Sequence, residues 1–176
     1  MYKLIVFTII SVILSGCSVA NSPETLRYSI ISDVKASSLT GQYIVSVSLS
    51  DELKTGGLVV RTSDLTVRTA QYHVWASGLD SQLSILLCEA LQSAGVSQNV
   101  SVDADVYRFE GSLNGRTYIE MVISGRYDGK EVFRHGYSYE GKQRADGYDP
   151  MVEDLRNGFR GIAYKAALGI KASQAK

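Results

Sequence analysis

Histidine, cysteine and net charge are all in short supply in this chain of 176 residues. The only histidines are His73 and His135, and the only cysteines are Cys17 and Cys88. Lys and Arg number 18, as do Asp and Glu, so the formal net charge is zero. A chain with no basic excess lacks the electrostatic footprint of a nucleic-acid binder. HExxH, CxxC and Gly-x-Ser-x-Gly are all missing, so no local motif supplies a zinc hydrolase, a dithiol couple or a nucleophile elbow. Gly136-Tyr137-Ser138-Tyr139-Glu140-Gly141-Lys142 fits a phosphate-binding loop until Gln143, which stands where Ser or Thr should hold magnesium. Its alternating pattern is also that of a strand, not of a turn leading into a helix. Asp103 and Asp105 alternate on a strand with no third ligand at loop spacing, and read as a solvated strand edge. His135 shares a strand face with Phe133 and Tyr137, and His73 flanks Trp75 at strand spacing, so both read as packed rings. Catalytic groups can converge from distant positions, so a hydrolase is disfavoured on these absences without being removed.

What is present starts at the N-terminus. Met1-Tyr2-Lys3 carries one positive charge, Leu4 to Ile13 is an apolar run, and Leu14-Ser15-Gly16-Cys17 follows. A charged start, a short apolar stretch and small residues at its end make a secretory signal. The run is shorter than the roughly 20 apolar residues that span a bilayer. The Leu-Ser-Gly-Cys ending resembles a bacterial lipobox, in which the Cys is acylated and becomes the new N-terminus. Residues 1–16 are then a signal peptide, 17–24 a lipid-anchored tether, 25–171 a single periplasmic domain and 172–176 a loose tail. No cofactor is expected apart from the covalent lipid on Cys17. Removing residues 1–16 takes away Lys3 and no acid, leaving 17 basic against 18 acidic residues. With Cys17 acylated no internal disulfide can form, and Cys88, in an apolar helical stretch, reads as a small buried hydrophobe. Ser18 follows Cys17 where an Asp would retain many Gram-negative lipoproteins at the inner membrane. By that analogy the chain belongs on the periplasmic face of the outer membrane.

The remaining pattern alternates strands and helices. Residues 26–31 read as a first strand. In 43–49, Val45, Val47 and Leu49 oppose Ser46 and Ser48, the period of a strand with one buried and one wet face. Short strands are expected at 58–61, 65–68 and 72–74. Ser77 and Asp80 have capping-box spacing, with Asp in place of Glu or Gln. Leu79, Leu83, Leu86, Leu87, Ala90, Leu91 and Ala94 then form one helical stripe that stops at Gly95. Residues 102–140 predict a three-stranded antiparallel meander, turned at Asn114-Gly115 and Asp128-Gly129. Asp149 is the expected N-cap and Pro150 the first residue of a last helix. Its stripe is Val152, Leu155, Phe159, Ile162, Ala163, Ala166 and Ile170. Gly158 and Gly161 interrupt that helix, either for close packing or as points of fraying. Two one-sided helices need one surface to cover. The expected fold is therefore α/β (α+β): a mixed, largely antiparallel sheet with two main helices on one face.

Two segments carry a resemblance. Trp75-Ala76-Ser77-Gly78-Leu79-Asp80-Ser81-Gln82-Leu83 resembles the Trp-Ala-x-x-Leu-x-x-x-Leu segment of the ABC-type transport auxiliary lipoproteins, with Gly78 where Pro is usual. Asp146-Gly147-Tyr148-Asp149-Pro150-Met151-Val152 resembles the Asp-Gly-Tyr-Asp-x-Met-Val start of that family's last helix. Leu58 to Asp64 is similar to the segment before the Trp. The resemblance implies an anchored periplasmic α/β domain without enzymatic activity. It also implies partnership with an MCE-domain protein that spans the periplasm in a lipid-transport system supporting envelope integrity. Trp75, Leu79, Asp146, Tyr148 and Asp149 then mark one corner, either structural or a docking face. A lipid-binding shuttle with a pocket between helices and sheet is the main alternative, and self-assembly is left open.

Overall fold

In a computed structural model of the chain, residues 23–34 and 43–174 are described, and Cys17 lies outside them. Seven strands form one sheet: β1 (Leu26–Tyr28), β2 (Ile44–Leu49), β3 (Gly57–Ser63), β4 (Thr66–Trp75), β5 (Val100–Ser112), β6 (Arg116–Tyr127) and β7 (Lys130–Lys142). Among the described residues two α-helices, α1 (Leu79–Ala94) and α2 (Tyr148–Gln174), and a short 3-10 helix at Leu53–Thr55 accompany the sheet. This is the mixed α/β arrangement expected from the pattern.

The sheet order is β1-β4-β3-β5-β6-β7, with β2 paired to β5 off that path. The long ladders β5/β6 and β6/β7 are antiparallel, as is β3/β4. β5 is the organising strand. Along one edge it pairs in parallel first with β2, Ile44 opposite Ser101 to Leu49 opposite Val106, and then with β3, Val59 opposite Glu110 to Arg61 opposite Ser112. A register shift between Val106 and Arg108 marks a bulge at Tyr107. Such a bulge reverses the alternation, so Val106 and Phe109 both point into the core. The β6–β7 turn has Asp128 at φ 48° and Gly129 at φ 76°, both left-handed, as a type I′ hairpin demands.

Both helices cover the same face. The whole expected stripe of each is buried, joined by Gln82 and Cys88 on α1 and by Met151, Gly158 and Ala167 on α2. Three glycines let α2 sit close. A Cβ at Gly158 would stand 2.5 Å from Tyr139 Cε1, and one at Gly169 would stand 2.5 Å from Phe133 Cε2. Gly111 on β5 leaves room for Met151 in the same way, whereas Gly161 faces open space. α2 thus meets β7 through rings seated on bare backbone. The other face is polar: Glu110 is buried between Arg61 (Nε to Oε1, 2.7 Å) and Arg108 (Nη2 to Oε1, 2.7 Å). Arg108 also reaches Glu120 at 2.6 Å and lies over the Tyr118 ring at 4.5 Å. Asp103 is paired with Arg126, but it and Asp105 are half-buried on an interior strand and not at a sheet edge, because β2 and β6 pair with β5 on its two sides.

Several boundaries differ from expectation. β1 ends at Tyr28, because the Ile30 amide turns to donate to Gln82 Oε1 at 2.9 Å on α1. Residues 66–75 form one continuous strand, since β3 and β1 pair with it along its two edges. Gly78 is the N-cap of α1, with no side-chain cap bond, so Ser77 and Asp80 do not form a capping box. The Ser77 carbonyl instead accepts from Gln82 Nε2 at 3.1 Å. α2 begins at Tyr148, one residue before Asp149, and Pro150 falls within its first turn, where a missing N–H is harmless. The helix continues past Lys171 to Gln174, whose Oε1 accepts from the Ser97 amide at 3.3 Å. β7 runs through residues 136–142, so the phosphate-loop match is a strand.

Candidate functional site

The corner marked by the sequence forms where β1 meets β4 and the start of α2. β1 lies parallel to β4, with Leu26 opposite His73 and Tyr28 opposite Trp75. The Ala76 amide donates to the Tyr28 carbonyl at 2.7 Å, and the Trp75 amide donates to the Gly56 carbonyl at 2.8 Å. These bonds hold the end of β4 from both sides. Trp75 is only 6% exposed. Its ring packs 5.8 Å from Phe109, which meets Phe159 edge-on at 6.3 Å, so three aromatics connect β4, β5 and α2. Leu79, on the first turn of α1, is buried in the same core.

The other corner residues lie at the rim. The Tyr148 ring stacks on His73 with centroids 3.8 Å apart and 21° between planes. Tyr28 hydroxyl and His73 Nδ1 share a hydrogen bond of 3.0 Å. Burial, reinforced by the Asp149 carboxylate beside it, pushes the Tyr28 phenol up to about 12. Tyr28, His73, Tyr148 and Asp149 therefore form a latch that ties the first strand to the last helix. Farther along, Arg160 holds Asp33 through two bonds of 2.9 and 3.0 Å, which draws the Asp33 carboxyl below its usual range.

Two adjoining clefts flank the latch, sharing Val60, Leu113 and Tyr148. One, of about 360 Å³, is bounded by Arg68, Ala70 and His73. The other, of about 250 Å³, is bounded by Asp146, Gly147 and Met151. Both open at the end of the sheet beside the first turn of α2. Asp146 is exposed on the rim, while Trp75 and Leu79 are on the far side of the latch in the core.

Chemically, the arrangement is one of engaged groups. Both polar functions of Gln82 are satisfied inside the core, and the His73 ring is occupied by Tyr28 and Tyr148. His135 is exposed and rests edge-on against Tyr137 at 4.8 Å. Cys88 is buried and unpaired, and burial pushes its thiol up, away from the reactive thiolate. Among the described residues no three His, Cys, Asp or Glu side chains group as a metal site. Among them, too, no helix is long and apolar enough to cross a membrane. The Gln82, Glu110 and Tyr28–His73 arrangements were not visible in the sequence. Only the Arg108-x-Glu110 pair, opposite charges two residues apart on one strand, was a usable hint.

An open sheet covered on one face by two helices, with a packed Trp at the end of β4 and a latched last helix, defines a class that comparison with known proteins identifies. The family model of the ABC-type transport auxiliary lipoprotein component matches residues 32–167, and the chain belongs to that family. It is an auxiliary-component family of transport lipoproteins and not an enzyme family. The intermembrane transport lipoprotein PqiC of Escherichia coli (strain K12) is 29% identical over 143 residues, covering 73% of this chain and 74% of PqiC. A crystal structure of an uncharacterized protein, 27% identical, superposes with a TM-score of 0.66 over 71% of this chain and 88% of its own. Protein XCC0632 from Xanthomonas campestris shares the fold at 12% identity, with a TM-score of 0.65 over 76% of this chain and 86% of its own.

Proposed function

We propose that this chain is the outer-membrane-anchored subunit of an MCE-type intermembrane lipid-transport system, where it docks the transporter and supports envelope integrity. The observation that carries this reading is the similarity to PqiC, an intermembrane transport lipoprotein, over nearly three quarters of both chains. The lipobox at Cys17 supplies the attachment. Each buried CH₂ of an acyl chain contributes about 0.8 kcal/mol, so several chains on one Cys make release negligible. A domain held this way acts on what comes to it, so a partner must span the periplasm.

The corner residues have a structural role in this reading. Trp75 and Leu79 pin β4 and α1 into the core, and Tyr148 and Asp149 close the latch on Tyr28 and His73. Asp146 shapes the rim of the smaller cleft.

Affinity capture of the tagged full-length lipoprotein from detergent-solubilised envelopes tests the proposal. An MCE-domain protein should co-purify. Capture of the lipoprotein with no envelope transporter component would overturn it.

A further inference from the structure

The direction of β1 relates the tether to one end of the domain. β1 is parallel to β4 and begins opposite His73, so the chain enters β1 from the side on which β4 starts at Thr66. From His73 to Thr66 the strand covers about 23 Å at 3.3 Å per residue. The nine steps from Cys17 to Leu26 reach at most about 30 Å. An acylated Cys17 can therefore come level with the β3–β4 turn when the tether keeps the heading of β1.

That end carries apolar side chains that the fold leaves bare. Leu65, in the β3–β4 turn, is 97% exposed, and Leu113, in the neighbouring β5–β6 turn, is 75% exposed. The two turns are joined, because Arg61 lies opposite Ser112 and the Leu113 amide donates to the Arg61 carbonyl at 3.2 Å. Leu26, where the tether enters, is also exposed. Single exposed leucines are ordinary. Two on adjoining turn tips, at the end toward which a lipid tether leads, are a surface suited to the bilayer interface. The opposite end has the charged tip Asp128-Gly129-Lys130 at the β6–β7 turn, with Ile44 and Tyr127 exposed near it, and the chain enters β1 from the other side.

We propose that the end formed by the β3–β4 and β5–β6 turns lies on the phospholipid bilayer, with Leu65 and Leu113 inserted into its interface. This rests on Cys17 being the lipid anchor. It leaves the β6–β7 end directed away from the membrane, toward an approaching partner.

The test uses the full-length lipoprotein reconstituted into phosphatidylethanolamine–phosphatidylglycerol vesicles, with Cys88→Ala removing the internal thiol. Leu65→Cys, Leu113→Cys and Asp128→Cys are each labelled with an environment-sensitive fluorophore. Emission of Trp75 checks the fold of each variant, and the replaced side chains are exposed, so the core is untouched. Labels at 65 and 113 should shift to the blue and be quenched by lipids brominated on their acyl chains, while the label at 128 should do neither. If the protein floats with the vesicles but all three labels behave alike, the proposed orientation is wrong and the anchor stands. If the protein does not float with the vesicles, the anchor reading falls and takes this inference with it.

Discussion

Gly158 lies directly beneath the ring of Tyr139, so close that a Cβ at 158 would stand 2.5 Å from Tyr139 Cε1. The ring in turn donates its hydroxyl to Asp154 Oδ2 at 3.2 Å, one helical turn away, and Thr117 bonds the same carboxylate oxygen. A bare backbone position, an aromatic ring and a carboxylate thus fix α2 against β6 and β7.

Gly158 and Gly161 make a matched pair for this reason. Gly158→Ala forces the Tyr139 ring away, an overpacking cost of about 1–3 kcal/mol that exceeds the gain in helix propensity. Gly161→Ala meets nothing within 4 Å, and should stabilise the protein by about 0.5–1 kcal/mol. Urea denaturation should move the two midpoints in opposite directions. Equal shifts of the same sign would show that the ring does not sit on Gly158.

Trp75 is the single tryptophan of the chain and is packed against Phe109. Trp75→Ala should cost about 3–5 kcal/mol, the usual range for removing a buried aromatic. In the unmutated protein its emission should be blue and should move to the red at the same denaturant concentration at which helical signal is lost. Red emission from the folded protein would mean that Trp75 is a surface residue available for docking.

The latch makes an alkaline prediction. The Tyr28 phenol is raised from 10.0 to about 12, by burial first and by Asp149 second. A group whose folded pKa is raised contributes stability that is complete below the unfolded value and lost as pH rises through the folded one. Stability should therefore decline from pH 10 through about pH 12, and this decline should shrink in Tyr28→Phe. Asp149→Asn should lower the pH at which Tyr28 ionises, read as tyrosinate absorbance against the Tyr28→Phe variant. Superimposable titrations of Asp149→Asn and the unmutated protein would contradict the contact.

Local periodicity made much of this fold legible. The Leu79–Ala94 stripe and the Val152–Ile170 stripe each face a single sheet surface, so a 3.6-residue period survives undiluted. The meander announces itself through Asn114-Gly115 and Asp128-Gly129, because left-handed turns need those residue types. Parallel pairing leaves no such mark. Nothing near residue 26 signals that β1 lies beside residues 73–75, or that β2 and β3 share one edge of β5. The latch is hidden for the same reason, since residues 28, 73 and 148 meet only through that non-local pairing. Helix starts were misplaced by a residue or two because Gly78 caps with backbone alone, while Gln82 serves the chain after β1.

Attachment through Cys17 is the claim on which the transport role depends, and the intact mass of the mature protein purified from outer membranes tests it most directly. The account predicts a chain that begins at Cys17 and carries several fatty acyl chains, with Cys17→Ala lost from that fraction. An unmodified chain, or one that retains residues 1–16, would contradict it.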